Sequence, residues 1–395
     1  MQVSTQVSMK VSVAVMYHPS RERSARAVAR GCAELSPILV PDPDPGGPPS
    51  PLRTAKRAWA ACPPGATHHL VLQDDVVLAA DFVTQLTGAV RLRPAHAVAL
   101  YANRNSVRNS YLLRRAAALG SRWAPLSRHE YTPTLGLLLP AEHARALAEY
   151  LRAFPDDYRD DDEAVTVFCR ERGVPAVGTV PSLIDHGDLP SVAGNGTHGT
   201  RHAAVFADHA GVDAGYWNGA EAAGAPGARA LLPHTLELHD SRCLIRFARP
   251  AAGEPVDSLF GWYWHDWCEL LGASPEAVLA GWAEHMESGD AYASMGIADA
   301  MVFPVEAALE VWAAGYLLGV DVSADPDAAV PEVSPVFRRS VETWLDAGLA
   351  GPDRERLDAA GRAGLVETCL AGFRAGVLAG LAPAAPADLC GIEAP

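Results

Sequence analysis

A chain of 395 residues with 49% hydrophobic side chains exceeds the usual size of one domain and can bury large cores, which excludes a globally disordered protein. Its formal charge of −15 is concentrated in residues 236–395, which carry 25 acidic and 9 basic side chains, whereas residues 1–235 carry 22 and 23. This balance excludes the extended basic surface that binds nucleic acid nonspecifically or holds a protein on an anionic membrane.

Strands and helices alternate through the first hundred residues. Residues 1–10 repeat a QVS unit and are predicted to form an N-terminal tail. Strands are predicted at 11–17, 37–41, 70–72 and 97–101, and helices after Ser20, over 54–61 and from Asp81 onward. This alternation favours a doubly wound, largely parallel α/β sheet. Because no GxGxxG follows the first strand and no GxxxxGK[ST] is present, a bound nucleotide would depend on side chains and a metal.

Residues 68–82, HHLVLQDDVVLAADF, are the stretch around which the first domain is expected to be organised. The apolar residues 70–72 predict a buried strand, and Gln73-Asp74-Asp75 follow it. Because an unpaired buried charge is costly, the two carboxylates are expected at the mouth of the strand, where open α/β sheets bind ligands. Carboxylates there suit a hard divalent cation that could hold a diphosphate. The alternative is that Asp74 and Asp75 only cap a turn.

Two more polar segments lie beside predicted strands later in this domain. A strand at 131–140 enters a helix at residue 141, and six acids among residues 156–163 precede another helix. Helix capping and the helix dipole account for one or two of these acids, not six. A strand at 174–180 then leads into PSLIDH at 181–186, and residues 187–235, rich in Gly, Ala and His, are predicted as a closing loop and linker.

The pattern becomes mostly helical from about residue 236, after one predicted strand at 243–247. Ser274-Pro275 and Ser334-Pro335 indicate helix starts, and apolar residues recur at helical spacing over 337–349 and 365–381. Three tryptophans and a tyrosine fall within residues 262–267. Clustered tryptophans are typical of a core or interface, and an acceptor platform for sugars is the alternative. This domain is expected to shape an acceptor pocket or to form a homodimer.

The cysteines and the N-terminus indicate a cellular location. Seven cysteines are scattered without a CxxC pair, which is typical of reduced thiols in the cytosol. The N-terminus lacks the apolar core of a secretory signal, and no run is expected to be long enough to cross a bilayer. The sequence therefore predicts a soluble cytoplasmic protein with no membrane partner and no nucleic-acid partner.

Taken in order, the segments LVLQDDV, TPTLGLLLP, RDDDEAV and VPSLIDHGD resemble those of GT-A-fold glycosyltransferases over residues of about 11–206. The resemblance implies a Rossmann-like α/β fold with a mixed, mostly parallel sheet and flanking helices. A linker at 207–235 and a mostly α domain at 236–395, which resembles no family, would follow. The implied activity is metal-dependent transfer of a sugar from a nucleotide sugar, with UDP-sugars the first candidates, to a soluble acceptor.

The same resemblance implies roles for several residues. The acidic strand-end motif of the family, a DXD-like motif, binds Mn²⁺ or Mg²⁺, which grips the donor diphosphate. Asp75 is expected to be the direct ligand, with Asp74 beside it, and His186 is expected to complete the metal site. Gln73 departs from the family pattern at its first position. Asp161 or Asp162 matches the catalytic base of inverting members, and spacing does not decide between them.

Other polar residues at predicted strand ends are expected around the donor. His18 and Arg21 would meet the base and ribose, and Arg201 and His202 would neutralise the diphosphate. Asn103 and Arg104 would meet the sugar or the acceptor. Arg53 and Lys56 lie one helical turn apart and are predicted to be solvated, with a position facing the phosphates as the alternative.

Two other functions compete with sugar transfer, for which specialised-metabolite biosynthesis is the expected setting. A nucleotidyltransferase would also join a metal to a nucleotide, but it usually carries a glycine-rich motif near the N-terminus, and VMYHPSRERSAR contains no glycine. A catalytically silent GT-A-like binding or scaffold protein is the third candidate. Loss of metal-dependent nucleotide binding on substitution of Asp75 separates the enzyme from the scaffold.

Overall fold

The computed structural model describes residues 9–158, 161–190, 200–218, 234–249, 256–257, 260–288, 303–325 and 332–381. Residues 1–8 of the predicted tail, Asp160 of the acidic run and residues 219–233 of the predicted linker lie outside these ranges. The chain divides into two compact units. The first comprises Met1–Pro233, Ala248–Asp257 and Ser334–Thr343, and the second comprises His234–Phe247, Ser258–Val333 and Trp344–Pro395.

The first unit is built on a seven-stranded sheet with the order β2-β1-β3-β7-β5-β8-β6. Two further short strands form a separate pair, β4 with β9. The strands are β1 (Val11–Tyr17), β2 (Ile38–Pro41), β3 (His68–Gln73), β4 (Val76–Leu78), β5 (Ala97–Ala99), β6 (Trp123–Pro125), β7 (Gly136–Pro140), β8 (Ala176–Thr179) and β9 (Ile184–His186). The sheet is mixed, because β7 runs antiparallel to both β3 and β5, and β6 runs antiparallel to β8. The predicted α/β class is confirmed, with five of the seven strands running in one direction.

Helices cover both faces of this sheet. They are α1 (Glu22–Gly31), α2 (Pro51–Ala60), α3 (Phe82–Leu92), α4 (Val107–Ala118), α5 (Ala141–Leu151) and α6 (Asp161–Arg172). Successive side chains of β3 enter opposite cores, as the two-residue period of a strand requires. Leu70 and Leu72 pack with residues of α1 and α3, and Val71 packs with residues of α2 and α5. Burial on both faces leaves only the end of β3 free to present charged groups.

The described part of the predicted linker is packed into the first unit. Trp217 is 2% exposed and belongs to the core on the α1 and α3 side of the sheet. Its indole N–H donates to Gln85 Oε1 at 3.1 Å, and its ring lies 5.3 Å from that of Trp123. Residues up to 218 therefore extend the first domain beyond the boundary expected at residue 206.

The second unit begins with a β-hairpin and continues mainly as helices. Among the described residues from 234 onward, the strands are β10 (His234–His239), β11 (Arg242–Arg249), β12 (Val256–Asp257) and β13 (Trp262–Tyr263). The helices described there are α7 (Trp264–Trp267), α8 (Pro275–Glu287), α9 (Val305–Ser323), α10 (Pro335–Gly348), α11 (Gly351–Glu355) and α12 (Ala359–Leu381), and β12 and the first part of α10 belong to the first unit. The predicted helix starts at Ser274-Pro275 and Ser334-Pro335 are confirmed, and Ser274 Oγ caps α8 by accepting the Ala277 N–H.

The tryptophan cluster of the second unit is divided between its core and its surface. Trp264 is 2% exposed and donates its indole N–H to Glu310, whereas Tyr263 is half exposed. The rings of Trp262 and Trp267 lie 5.4 Å apart. The core interpretation of the cluster therefore holds for Trp264.

Helix α12 corrects one expectation about membranes. Its 23 residues are long and apolar enough, by length and composition, to cross a bilayer, although no such run was expected. Within the second unit it packs closely against α9, and 56% of its most apolar window is buried. A core helix of a soluble protein and a membrane span both meet this test.

The six described cysteines are buried and free, with none in a disulfide.

Candidate functional site

A cleft of about 320 Å³ opens at the end of the sheet where β1 and β3 terminate. This volume lies within the range of small-molecule sites. Segments distant in sequence converge on it: the exit of β1, the loop before α2, the turn after β3, the segment before β7, the start of α6 and the end of β9. Nine of the eleven residues predicted to lie around the metal, the donor and the acceptor line the cleft, namely His18, Arg21, Asp74, Asp75, Asn103, Asp161, Asp162, His186 and Arg201.

The two carboxylates after β3 share one guanidinium. Arg21 Nη1 donates to Asp74 Oδ1 at 3.0 Å and to Asp75 Oδ2 at 3.1 Å. The other oxygen of Asp74 accepts the backbone N–H of His18 at 3.0 Å. Burial raises the pKa of Asp74, although Arg21 and the His18 N–H favour its ionised form. Both oxygens of Asp74 are thus engaged, and this side chain fixes Arg21 at the cleft.

Asp75 differs from Asp74 because one of its oxygens has no partner in the described part of the chain. The residue is 9% exposed, and its Oδ1 is buried without a hydrogen bond to any residue that the structure describes. An unpaired carboxylate oxygen at this depth costs free energy that a ligand could recover. The pairing of β4 with β9 places Val76 opposite His186, so Asp75 lies next to the imidazole. The distance from Asp75 Oδ2 to His186 Nε2 is 3.5 Å.

The tautomer of His186 follows from its second nitrogen. Nδ1 lies 2.7 Å from the carbonyl oxygen of Gly187, which can only accept, so Nδ1 carries the proton. Burial lowers the pKa of His186, with Asp75 acting in the opposite direction and Arg201 adding to the lowering. The imidazole is therefore neutral at neutral pH, and the lone pair of Nε2 faces the Asp75 carboxylate.

Asp75 and His186 suit a divalent cation whose remaining ligands come from water and from the substrate. Ligating histidines commonly donate their second N–H to a backbone carbonyl, as His186 does. Among the described residues, no group of three or more His, Cys, Asp or Glu side chains could hold a metal ion by itself. Mg²⁺ and similar ions often bind through one or two carboxylates together with water and substrate phosphates. Asp75 and His186 would supply the protein ligands of such a site.

Asp185 organises the segment that brings Arg201 to the cleft. Its Oδ1 accepts the N–H of Ala203 at 2.6 Å and of His186 at 2.9 Å, and its Oδ2 lies 3.1 Å from Nδ1 of His202. The Arg201 carbonyl accepts the hydroxyl of Tyr101. The Arg201 guanidinium lines the cleft and makes no hydrogen bond or ion pair to any other residue that the structure describes. It is therefore available to an anionic ligand.

The acids at the start of α6 lie on another wall of the same cleft. Asp161 is 7% exposed, and Asp162 is partly buried. The Asp162 carbonyl accepts the Thr166 hydroxyl at 2.8 Å, and Thr166 Oγ1 accepts the N–H of Thr132 at 2.6 Å. These bonds tie the start of α6 to the segment before β7. The structure brings both candidate bases to the cleft and does not choose between them.

Two predicted site residues do not line the cleft. Arg104 Nη2 donates to Thr200 Oγ1 at 2.8 Å, and its guanidinium is used in the loop at the side of the site. His202 lies between Asp185 and Asp188, with its Nε2 3.4 Å from Asp188 Oδ1. Both residues hold the 200–206 segment in place because their polar atoms meet protein partners. Their positions do not support the predicted contacts of His202 with the diphosphate and of Arg104 with the sugar or the acceptor.

The expectation for Arg53 and Lys56 is also corrected. Arg53 is 6% exposed and forms a bidentate ion pair with Asp42, in which its Nε and Nη2 each lie 2.8 Å from a carboxylate oxygen. Asp42 and Arg53 line the cleft beside the exit of β1. Lys56 lies away from it and pairs with Asp156 at 2.7 Å. Arg53 is therefore a buried part of the cleft wall rather than a solvated surface group.

Several residues at the site carry no pattern that the sequence analysis used. Tyr101 and Tyr131 line the cleft, and burial raises the pKa of both phenols well above their usual value. Glu130 precedes Tyr131 and accepts the backbone N–H of Asn109 at 2.6 Å at the start of α4. Burial raises the pKa of Glu130 to about 7, although the backbone N–H groups of Val107, Arg108 and Asn109 and the charge of Arg108 act to lower this pKa. A carboxyl group with this pKa beside the cleft would be partly protonated at neutral pH.

Glu130→Gln should change the pH dependence of stability. The pKa of this carboxyl rises from 4.5 to about 7 on folding, so the folded state binds the proton more tightly than the unfolded state. The resulting contribution to the stability of the folded protein is complete below pH 4.5 and is lost as the pH rises through 7. Between pH 4.5 and 8, the free energy of unfolding of the wild type should fall by up to about 3 kcal/mol relative to that of Glu130→Gln. Urea unfolding of both proteins across this range measures the difference. A difference that does not vary with pH would contradict the raised pKa.

The fold and the site together define an α/β protein with a cleft that combines carboxylates, a neutral imidazole and an available guanidinium. No protein-family model matches the chain, and no curated protein matches it significantly. Its function is therefore inferred from the cleft itself.

Proposed function

We propose that this protein is a metal-dependent GT-A-type glycosyltransferase that moves a sugar from a nucleotide diphosphate sugar to a soluble acceptor. The observation that carries the proposal is the convergence of Asp75 and the unprotonated Nε2 of His186 at one point of the cleft. The unpartnered Oδ1 of Asp75 adds a further oxygen donor there. Mn²⁺ or Mg²⁺ is the proposed ion because oxygen and imidazole donors suit both the ion and its use with phosphates.

The donor is proposed to lie along the cleft from β1 toward α6. Its base and ribose would occupy the end lined by Tyr17 and His18, beside the Asp42–Arg53 pair. Its diphosphate would lie between Arg21 and Arg201, where guanidinium groups can bind phosphate oxygens in pairs. A cation on Asp75 and His186 would stabilise the negative charge that develops on the leaving diphosphate.

The acceptor is proposed to approach from the wall formed by the start of α6. A carboxylate of Asp161 or Asp162 would take the proton of the acceptor hydroxyl as that oxygen attacks the anomeric carbon. Direct attack of this kind inverts the configuration at that carbon. Tyr101 and Tyr131 would enclose the reacting groups, because aromatic side chains pack on sugar rings and exclude water. A small specialised metabolite is the proposed acceptor class.

Thermal shift with nucleotide sugars tests this proposal. UDP-, GDP- and TDP-sugars would each be added with and without Mn²⁺. A ligand at one hundred times its Kd should stabilise the folded protein by about 2.7 kcal/mol, so one nucleotide class should raise Tm at low concentration, and only with the metal. A nucleotidyltransferase would instead respond to a nucleoside triphosphate and release pyrophosphate. No response to any nucleotide sugar would sink the proposal and leave a binding or scaffold role.

A further inference from the structure

Arg21 occupies a position at the acidic pair that the proposed metal site does not account for. Its Nη1 lies 3.1 Å from Asp75 Oδ2, and this same oxygen lies 3.5 Å from His186 Nε2. We infer that Arg21 is the resting counter-ion of the acidic pair, and that a nucleotide diphosphate must draw it away before a divalent cation can bind well. The inference rests on the proposed function and adds an order of binding to it.

The first step concerns charge. The side chains of Asp74 and Asp75 are each 9% exposed, and two adjacent buried carboxylates repel each other unless a positive charge lies beside them. Arg21 supplies that charge here, because it bridges the two carboxylates and is itself only 13% exposed. Without a ligand, the pair is stable because a guanidinium already neutralises half of its charge.

The second step concerns competition. A cation shared by Asp75 Oδ2 and His186 would stand a few ångströms from Arg21, and like charges at such distances repel strongly in a partly buried site. The protein cannot remove this repulsion by deprotonation, since arginine stays charged at all physiological pH values. Arg21 and the cation therefore exclude each other from Asp75 Oδ2 as long as the guanidinium keeps its present position.

The third step concerns what could move Arg21. Its Nη2 donates to the Pro190 carbonyl in the segment after β9, so both ends of the guanidinium fork are engaged by the protein. A diphosphate offers oxygens with the same bidentate geometry and carries more negative charge than Asp75 alone. Arg21 lines the cleft in which the donor is proposed to bind. Transfer of Arg21 from Asp75 to the diphosphate would free Oδ2 for the cation.

The consequence is positive coupling between nucleotide and metal. The nucleotide diphosphate would bind first or together with the cation, and each would raise the affinity of the other, as linkage requires. A cation alone would bind weakly, so the metal site would be formed only in the presence of donor. Asp74 would then act as the group that positions Arg21, since both its oxygens are used by Arg21 and His18.

Direct measurement of Mn²⁺ binding by electron paramagnetic resonance tests this inference without reference to turnover. Wild type should bind Mn²⁺ weakly alone, and UDP, GDP or TDP, whichever the protein accepts, should raise its affinity at least tenfold. Arg21→Gln should bind Mn²⁺ alone at least tenfold more tightly than wild type, with little further gain from the nucleotide. Arg21→Lys, which keeps the charge, should remain close to wild type.

Arg26→Gln is the matched control. Arg26 lies on α1, which begins directly after Arg21. Its side chain is 59% exposed and pairs only with Glu22 among the partners described, so its loss should leave Mn²⁺ binding unchanged. The inference is overturned if Arg21→Gln binds Mn²⁺ alone no more tightly than wild type, or if Arg21→Lys tightens binding as much as Arg21→Gln. In either case, nucleotide-dependent Mn²⁺ binding that Asp75→Asn removes would leave the proposed function standing. Absence of Mn²⁺ binding in every variant, with or without nucleotide, would overturn both.

Discussion

Asp75→Asn is expected to lower sugar transfer by about 10³-fold while the protein remains folded. The asparagine keeps the shape of the side chain but removes the charge that faces His186 and Arg21. Stabilisation of the leaving diphosphate by a bound cation is worth several kcal/mol, and a loss of about 4 kcal/mol corresponds to a factor of about 10³ in rate. The variant should also lose the Mn²⁺-dependent part of nucleotide binding.

Asp188→Asn provides the matched comparison. Asp188 follows β9 closely, but its side chain is 72% exposed and does not line the cleft, so its charge should have little effect on the reaction. Both variants would be measured for turnover with the nucleotide sugar found by thermal shift, and for Mn²⁺-dependent nucleotide binding. Equal activities in Asp75→Asn and Asp188→Asn would remove the metal role of Asp75 and, with it, the basis for the enzyme.

The position of Asp74 and Asp75 at the end of β3 could be predicted from the sequence, because a buried strand that ends in charged residues can expose them only there. Leu70–Leu72 must be covered on both faces, so Asp74 and Asp75 could only lie at the open end of β3. His186 was found through a resemblance, and the pairing of β4 with β9 accounts for its position in physical terms. Neither prediction required the direction of the neighbouring strands to be known.

Other features depended on tertiary contacts that no local pattern encodes. The sheet was predicted to be mixed and mostly parallel, and the structure confirms this. No local pattern showed that β7 would lie antiparallel between β3 and β5, because strand direction is a property of the connections rather than of GLLLP. Helix α4 was not predicted because it buries Arg108 and Asn109 together with apolar residues, so its sequence lacks an amphipathic period. Arg53 was predicted to be solvated because its partner, Asp42, comes from the preceding loop.

The same limit applies within the site. Three basic side chains lie close together here, because Arg201 and His202 are neighbours in sequence and the bridge between Asn103 and Ala203 brings Arg104 beside them. The sequence does not indicate which of these guanidinium and imidazole groups faces the cleft. The distinction comes from Asp185, whose carboxylate holds His202 and the Ala203 N–H and leaves Arg201 directed to the site. A carboxylate that orders a loop is therefore as informative about the site as the residues that would bind the ligand.

The helices of the second unit give the largest expected effect on stability. Glycines of α9 and α12 face each other at four-residue spacing, and a Cβ added to any of them would overlap the backbone of the opposite helix. They are Gly315, Gly319, Gly372 and Gly376. At Gly376 the added carbon would meet the carbonyl oxygen of Tyr316, which cannot rotate away as a side chain could. The two helices can pack this closely only because these positions lack side chains.

Gly376→Ala should therefore destabilise the second unit by about 3 kcal/mol or more, the upper range for overpacked cores. Gly281→Ala is the matched control, because its added Cβ would lie 3.4 Å from Trp312 Cζ2 in ordinary contact, and alanine favours a helix over glycine by about 0.5–1 kcal/mol. Urea unfolding followed by tryptophan fluorescence reports mainly on this unit, which contains six of the nine tryptophans. If Gly376→Ala unfolded at the same urea concentration as Gly281→Ala, α9 and α12 would not pack this closely in solution. The apolar character of α12 would then need an explanation other than burial against α9.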